Sequence, residues 1–266
     1  MTQVNERRSP LDPDRCFAAE SNQRAVARRL YQEVQALPLI CPHGHVPPRL
    51  LADDDATFGS PADLFVIPDH YVFRMLHSQG VALEDLGIAP KDGGSYERDH
   101  RAIWQRFAEH FHLFRGTPTG LWIRDELASV FGVDERLTAE SAHRIYDQVE
   151  AKLATPEFRP RALFERFGIE ALATTDTATD TLEHHQRLRE LGWRNVLPTF
   201  RPDAVTDLGN EHWRANVTLL GERAAVEVHD YASFVAALER RREAFRALGT
   251  TATDHGVFSP NTERLT

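Results

Sequence analysis

Cysteine is scarce: Cys16 and Cys41 are the two in 266 residues. Two cysteines make no disulfide framework, so a reducing cytoplasm is the expected setting. They also leave any metal site to oxygen and nitrogen ligands. No run of about 18 apolar residues occurs, so nothing in the sequence spans a membrane. The first eight residues, Met1–Arg8, are polar and lack the apolar core of a secretory signal. Positive charge is in deficit, with 31 Lys and Arg against 40 Asp and Glu, a formal net charge of −9. Such a chain has no electrostatic reason to bind nucleic acid or an anionic membrane. The basic run Arg240-Arg241-Arg242 sits between Glu239 and Glu243 on an expected helix and reads as a solvated face. Repeats and low-complexity segments are also missing.

What remains is an ordinary globular composition, 41% apolar and 27% charged, and a length that suits one large domain or two small ones. A polar arm with Pro10 and Pro13 precedes a helix capped by Ser21 and running to about Gln35, with Ala25, Val26, Leu30, Tyr31 and Val34 at helical spacing. The apolar run 37–41 reads as a strand. Residues 60–166 read as helix after helix: one capped by Asp69 and ending before Gly80, then 96–114, 121–131 and 142–153. After Gly168 strands alternate with helices. Strands are expected at 169–175 and 196–200, with a weaker one at 250–253. Asp180 and Glu183 form an expected N-cap pair for a helix through Glu190, and Asp230 caps a helix whose face carries Tyr231, Phe234, Val235, Leu238, Phe245 and Leu248. This alternation predicts an α/β fold with a parallel sheet, in which functional groups gather at the C-terminal strand ends.

Each expected strand ends in polar chemistry. The first ends at His43-Gly44-His45, where the alternation of a strand places two imidazoles side by side, an arrangement suited to one divalent metal. The second ends at Thr175-Asp176, the third at Arg201 and Asp203, the fourth at Asp254 and His255. Two readings stand for several of these. Arg201 either forks onto a substrate carboxylate or pairs with Asp203 or Asp176. Asp254-His255-Gly256 is either an acid/base pair or, slightly favoured, a turn. Asp69-His70-Tyr71 is either a helix N-cap with first-turn residues or an anion-binding helix start with Tyr71 as donor. His184 and His185 read as surface or packing residues, and His110 and His112 as lying on nearly opposite helix faces.

Five stretches, taken in order, resemble the uronate isomerase (glucuronate isomerase) family of the amidohydrolase superfamily: 37–45, 69–71 with Arg74, 173–176, 192–203 and 254–256. The resemblance implies the N-terminal half of a distorted (β/α)8 TIM-type barrel with a helical insertion after the first strand. The corresponding divisions are 1–59 (arm, helix and first strand), 60–165 (helical insertion) and 166–266 (strands two to four). It further implies aldose–ketose interconversion of glucuronate with fructuronate and of galacturonate with tagaturonate. By position, His43 and His45 are metal ligands, with zinc the expected ion, weakly held. His70, Tyr71, Asp254 and His255 are catalytic candidates, and Arg201, Asp176 and Arg74 are substrate-binding candidates. The partner is a hexuronate. Four further strands of the family pattern do not appear before Thr266, so a truncated chain is expected: a fragment of a longer product, a half completed by a second chain, or a half that self-associates to bury its sheet without regaining the missing catalytic groups. A metal-dependent hydrolase of the same superfamily and an inactive remnant are the alternatives.

Overall fold

The computed structural model describes residues 11–256; the first half of the polar arm, residues 1–10, lies outside the described residues. Two compact units emerge. One takes in the chain through Leu37 together with Thr57–Leu163; the other takes in Pro38–Ala56 and the chain from Phe164 onward. The first helix therefore groups with the helical segment rather than with the first strand. Arg15 forms an ion pair with Asp125 of that segment, whereas the helix itself, Ser21–Val34, buries none of its residues. Its cap is Glu20, not Ser21, because the longer carboxylate reaches the N–H groups of Asn22 and Gln23.

The helical unit is held by one apolar core. Trp104, Phe107 and Phe114 are fully buried in it, and the Trp104 indole N–H donates to the Ala142 carbonyl at 3.0 Å, satisfying its polar handle. Asp69 caps His70–Ser78, whose Val72 and Leu76 are buried. The expected 96–114 helix begins only at His100, where the Asp99 side chain accepts from Arg101 N, and it tightens to a 3₁₀ turn at Phe111–Phe114. This tightening brings the rings of His110 and His112 into a stack 6.5 Å apart, contrary to the opposite faces of a regular helix. Each Nδ1 meets a carbonyl of its own segment, Arg106 and Glu109 respectively. The helix at 121–131 is Pro118–Asp125, continued by a π turn over Glu126–Val130.

The second unit is built on parallel strands. β1 (Leu39–Cys41) pairs with β2 (Ile169–Ala173), which pairs with β4 (Val196–Leu197). Just beyond, β3 (Asp176–Thr177) pairs with β5 (Phe200–Arg201), also parallel. The single strand expected over 196–200 is thus two short pieces interrupted at Pro198, which has no N–H for a ladder. The fourth strand is reduced to a parallel bridge between Thr253 and Phe200. Sequence neighbours are spatial neighbours throughout this run, and all pairings are parallel.

Helices Glu183–Glu190, Trp213–Ala224 and Tyr231–Ala247 cover the sheet. Leu172, Leu188 and Val196 form one core, Phe200, Leu220, Ala237 and Phe245 another. Three details differ from expectation. Asp180 makes no capping box: its carboxylate accepts from Leu182 N at 2.6 Å, while Leu182 occupies the cap position at φ +60° with its side chain buried. A branched residue tolerates that left-handed backbone only when packing holds it. Tyr231 is 81% exposed and lies off the buried face of its helix, which is Ala237, Arg241 and Phe245. Arg241 is not solvated. It is buried, donating from Nε to the Ala178 carbonyl and from Nη2 to the Asp180 carbonyl, so its charge ties the loop after β3 to the last helix.

Candidate functional site at the strand ends

The end of β2 shows how alternation distributes chemistry. Thr174 and Asp176 are buried, and Thr174 Oγ1 donates to Asp176 Oδ2 at 2.6 Å. His185, 1% exposed, closes this inner group with Nε2 2.9 Å from Thr174 Oγ1. Since the threonine proton is spent on Asp176, His185 Nε2 is the donor; its Nδ1 is then a bare acceptor, and it is indeed buried without a partner. Burial pushes the Asp176 carboxyl up to about 6, against the lowering effect of the Thr174 hydroxyl. Burial likewise pushes His185 down to about 4, opposed by the nearby Asp180 charge. Asp176 therefore belongs to the interior and does not offer its carboxylate to a solvent-borne substrate.

Thr175, between them, faces the other way. Its Oγ1 lies 3.0 Å from His45 Nδ1 and 3.3 Å from the Gly44 carbonyl oxygen. β1 ends at Cys41, so His43 and His45 stand just past the strand rather than on it. Their rings nevertheless converge edge to face, with the two Nε2 atoms 3.2 Å apart.

The same unit adds four more side chains from its later strand ends: Arg201, Asp203, Asp254 and His255. Arg201 Nε donates to Asp203 Oδ2 at 2.8 Å, so of the two readings of this arginine the ion pair is the one seen. Asp203 Oδ2 also accepts from Gly256 N at 2.9 Å, and His255 Nδ1 stands 3.9 Å from Asp203 Oδ1. Asp254 is carried in by its N–H bond to the Phe200 carbonyl. Its Oδ2 lies 3.7 Å from His43 Nδ1 and 3.6 Å from Arg201 Nε. That oxygen is buried and makes no hydrogen bond, an acceptor with these two nitrogens just beyond hydrogen-bond distance.

The structure thus brings together His43, His45, Arg201, Asp254 and His255, with Asp203 and Thr175 linking them. Among the described residues, no three His, Cys, Asp or Glu side chains form a group that could hold a metal ion. His70, Tyr71 and Arg74 belong to the helical unit. There Asp69 Oδ1 accepts from Tyr71 N at 2.8 Å, the His70 and Tyr71 rings lie 4.3 Å apart, and Tyr71 is 64% exposed. The N-cap reading of Asp69 therefore holds. Sequence reasoning gave no site role to Thr174 or Thr175, for which the period-two alternation through 173–176 was the signal available; of the two readings of His185, surface or packing, its burial selects packing.

The family model described as glucuronate isomerase matches residues 17–264. Over 255 residues the chain is 56% identical to a uronate isomerase of Nostoc punctiforme, covering 96% of this chain and 54% of that protein. It is 48% identical to a uronate isomerase of Rhizobium meliloti, covering 97% of this chain and 55% of that one. Solved structures are similar as well, two of them uronate or glucuronate isomerases. A glucuronate isomerase from Caulobacter crescentus superposes with a TM-score of 0.91 at 42% identity, covering 96% of this chain and 53% of that one. A uronate isomerase from Thermotoga maritima gives 0.83 at 29% identity, with the same coverage of each. The chain spans about half the length of these relatives. The family match covers nearly the whole chain, and on that ground the chain belongs to the glucuronate isomerase family.

Proposed function

We propose that this chain carries the first half of a uronate isomerase barrel and the strand-end portion of its active site. One observation carries the reading: His43 and His45 past the first strand, Arg201 on the third and Asp254 past the fourth converge within hydrogen-bonding or ion-pair reach. The half-barrel reading rests on the neighbour-to-neighbour parallel order of four strand ends, the order in which a (β/α)8 barrel is wound. β1 pairs on one side only among the described residues, and its Leu39 and Ile40 are 50% and 66% exposed. That edge is where a completing half, from a second copy or a second chain, would pair.

A divalent cation fits the two histidines. Nitrogens bound at about 2.0–2.1 Å in a tetrahedral arrangement stand about 3.3 Å apart, and the observed separation is 3.2 Å. His43 and His45 would hold such an ion, zinc being the expected one, and it would supply positive charge to an oxygen of the substrate. The isomerisation removes the proton from C2 of the aldose and delivers one to C1, with the hydroxyl proton passing from O2 to O1, through an enediol-like state. Arg201 uses Nε on Asp203, and its remaining N–H groups are free in kind to fork onto the uronate carboxylate. Asp254 and His255 are the acid/base candidates of this unit. The roles of Tyr71, His70 and Arg74 rest on their match to the family pattern. A cytoplasmic setting is supported by two free cysteines, Cys16 being exposed, and no helix among the described residues is long and apolar enough to cross a membrane.

The test is turnover of D-glucuronate and D-galacturonate, alone and after joining the chain to the segment that its relatives carry beyond the matched half. Ketose formation by the completed protein, lost in His45→Asn, is the expected result. Hydrolysis of a lactone or amide panel without uronate turnover would favour the hydrolase reading. Binding of neither metal nor uronate by the completed protein would leave an inactive remnant.

A further inference from the structure

We infer that Thr175 is a positioning residue for His45. Its hydroxyl holds the imidazole protonated at Nδ1, so that Nε2 is presented bare beside His43. The inference rests on the cation site proposed at these two histidines and deepens it.

A hydroxyl carries one proton and can also accept. The Gly44 carbonyl oxygen, 3.3 Å away, can only accept, so the threonine proton goes there. The 3.0 Å contact with His45 Nδ1 is then made by the imidazole N–H donating to Thr175 Oγ1. A neutral imidazole protonated at Nδ1 has its lone pair at Nε2. That atom faces His43 Nε2 at 3.2 Å. Without a cation, His43 Nε2–H can donate across this gap to His45; with one, both nitrogens turn lone pairs toward the same point. In either case His45 keeps one tautomer and one orientation.

The hydroxyl is well placed to enforce this. Thr175 lies just past β2, facing away from its buried neighbours Thr174 and Asp176, and branching at Cβ narrows its rotamer choice. By contacting both Gly44 and His45 it ties the ends of the first two strands together. His43 has no equivalent: its Nδ1 stands 3.7 Å from Asp254, beyond hydrogen-bond distance. Of the pair, His45 is thus the ring whose direction is fixed from behind, the arrangement by which outer partners raise the affinity of a ligating imidazole.

The test uses the full chain, metal-free and ¹⁵N-labelled, with His45 ring signals identified by their loss in His45→Gln. Long-range ¹H–¹⁵N spectra should show His45 protonated at Nδ1 in the wild type and in Thr175→Ser, and a mixture of tautomers in Thr175→Val. Zinc affinity, read by competition with a chromogenic chelator, should fall about 10–100-fold in Thr175→Val and stay within about threefold in Thr175→Ser. If the valine variant does not fold, Thr175→Ala removes the same hydroxyl with less bulk. Protonation of wild-type His45 at Nε2, an unchanged tautomer without the hydroxyl, or zinc affinity that ignores its loss would each overturn the inference. Should the wild type bind no zinc, the cation reading fails, and the tautomer comparison still decides the role of Thr175.

Discussion

Asp176 and His185 share one buried hydroxyl and pull stability in opposite directions with pH. Asp176 has its pKa raised from 3.8 to about 6 by burial, so from about pH 4 to 6 the folded state keeps a proton that the unfolded chain has lost, and stability falls as pH rises. His185 has its pKa lowered from 6.5 to about 4, so from about pH 4 to 6.5 the unfolded chain holds the extra proton, and stability rises with pH. In the wild type the two slopes largely offset. Asp176→Asn removes the falling slope and keeps an oxygen acceptor for Thr174. Relative to wild type it should gain stability on the order of 1–3 kcal/mol as pH goes from about 4 to 6. Urea midpoints taken in steps across that window read this; a variant-to-wild-type difference flat with pH would contradict it. None of this was legible in the sequence, because His185 reads as one of two adjacent helical histidines and only its burial at 1% exposure gives it a role. His43 and His45 were legible as a pair from their spacing, although the strand ends at Cys41 and it is the chain just past it that brings the two rings together. Arg201 was half legible: the sequence offered substrate or salt bridge, and only the 2.8 Å contact selects Asp203.

At the scale of elements, turns and caps set most boundaries. Ala142–Leu153 begins and ends where its apolar spacing predicts, and Asp69 and Asp230 cap the helices they precede. Where the sequence misled, a local backbone feature intervened: the Pro198 break between β4 and β5, the left-handed Leu182, the π turn at Glu126–Val130. Gly120 is a sharper case. It sits inside the helix Pro118–Asp125 with the Phe114 carbonyl so close that an added Cβ would stand 2.2 Å from the oxygen. Ala is ordinarily the better helix former, yet Gly120→Ala should destabilise by about 1–3 kcal/mol, the usual cost of overpacking. Chemical denaturation would show it as a lower midpoint at unchanged slope; an alanine variant as stable as the wild type would mean that the preceding turn moves aside freely.

At the scale of the whole molecule, one side of β1 is unpaired among the described residues, with Ile40 66% exposed. An unpaired, apolar strand edge is a template for pairing with another chain. The chain alone should therefore associate as its concentration rises, and Ile40→Lys should shift it toward the monomer, as charged residues do on natural edges. Sedimentation velocity over a concentration series reads both; a wild type that stays monomeric throughout would remove the edge as an association surface.

The sequence by itself determined the alternation of strands and helices, the long helical segment, the starts of four helices (Ser21, His70, Ala142 and Tyr231), and the polar groups at four strand ends. These follow from short-range rules: period 2 against period 3.6, caps, and proline. The tertiary structure decided what those groups do to one another. Burial separated Asp176 from solvent and drew Arg241 inward to two backbone carbonyls. Parallel pairing brought residues from positions 43 to 256 to neighbouring strand ends, a distance in sequence over which no periodicity carries information. The same pairing placed Thr175 behind His45, a contact between residues 130 positions apart.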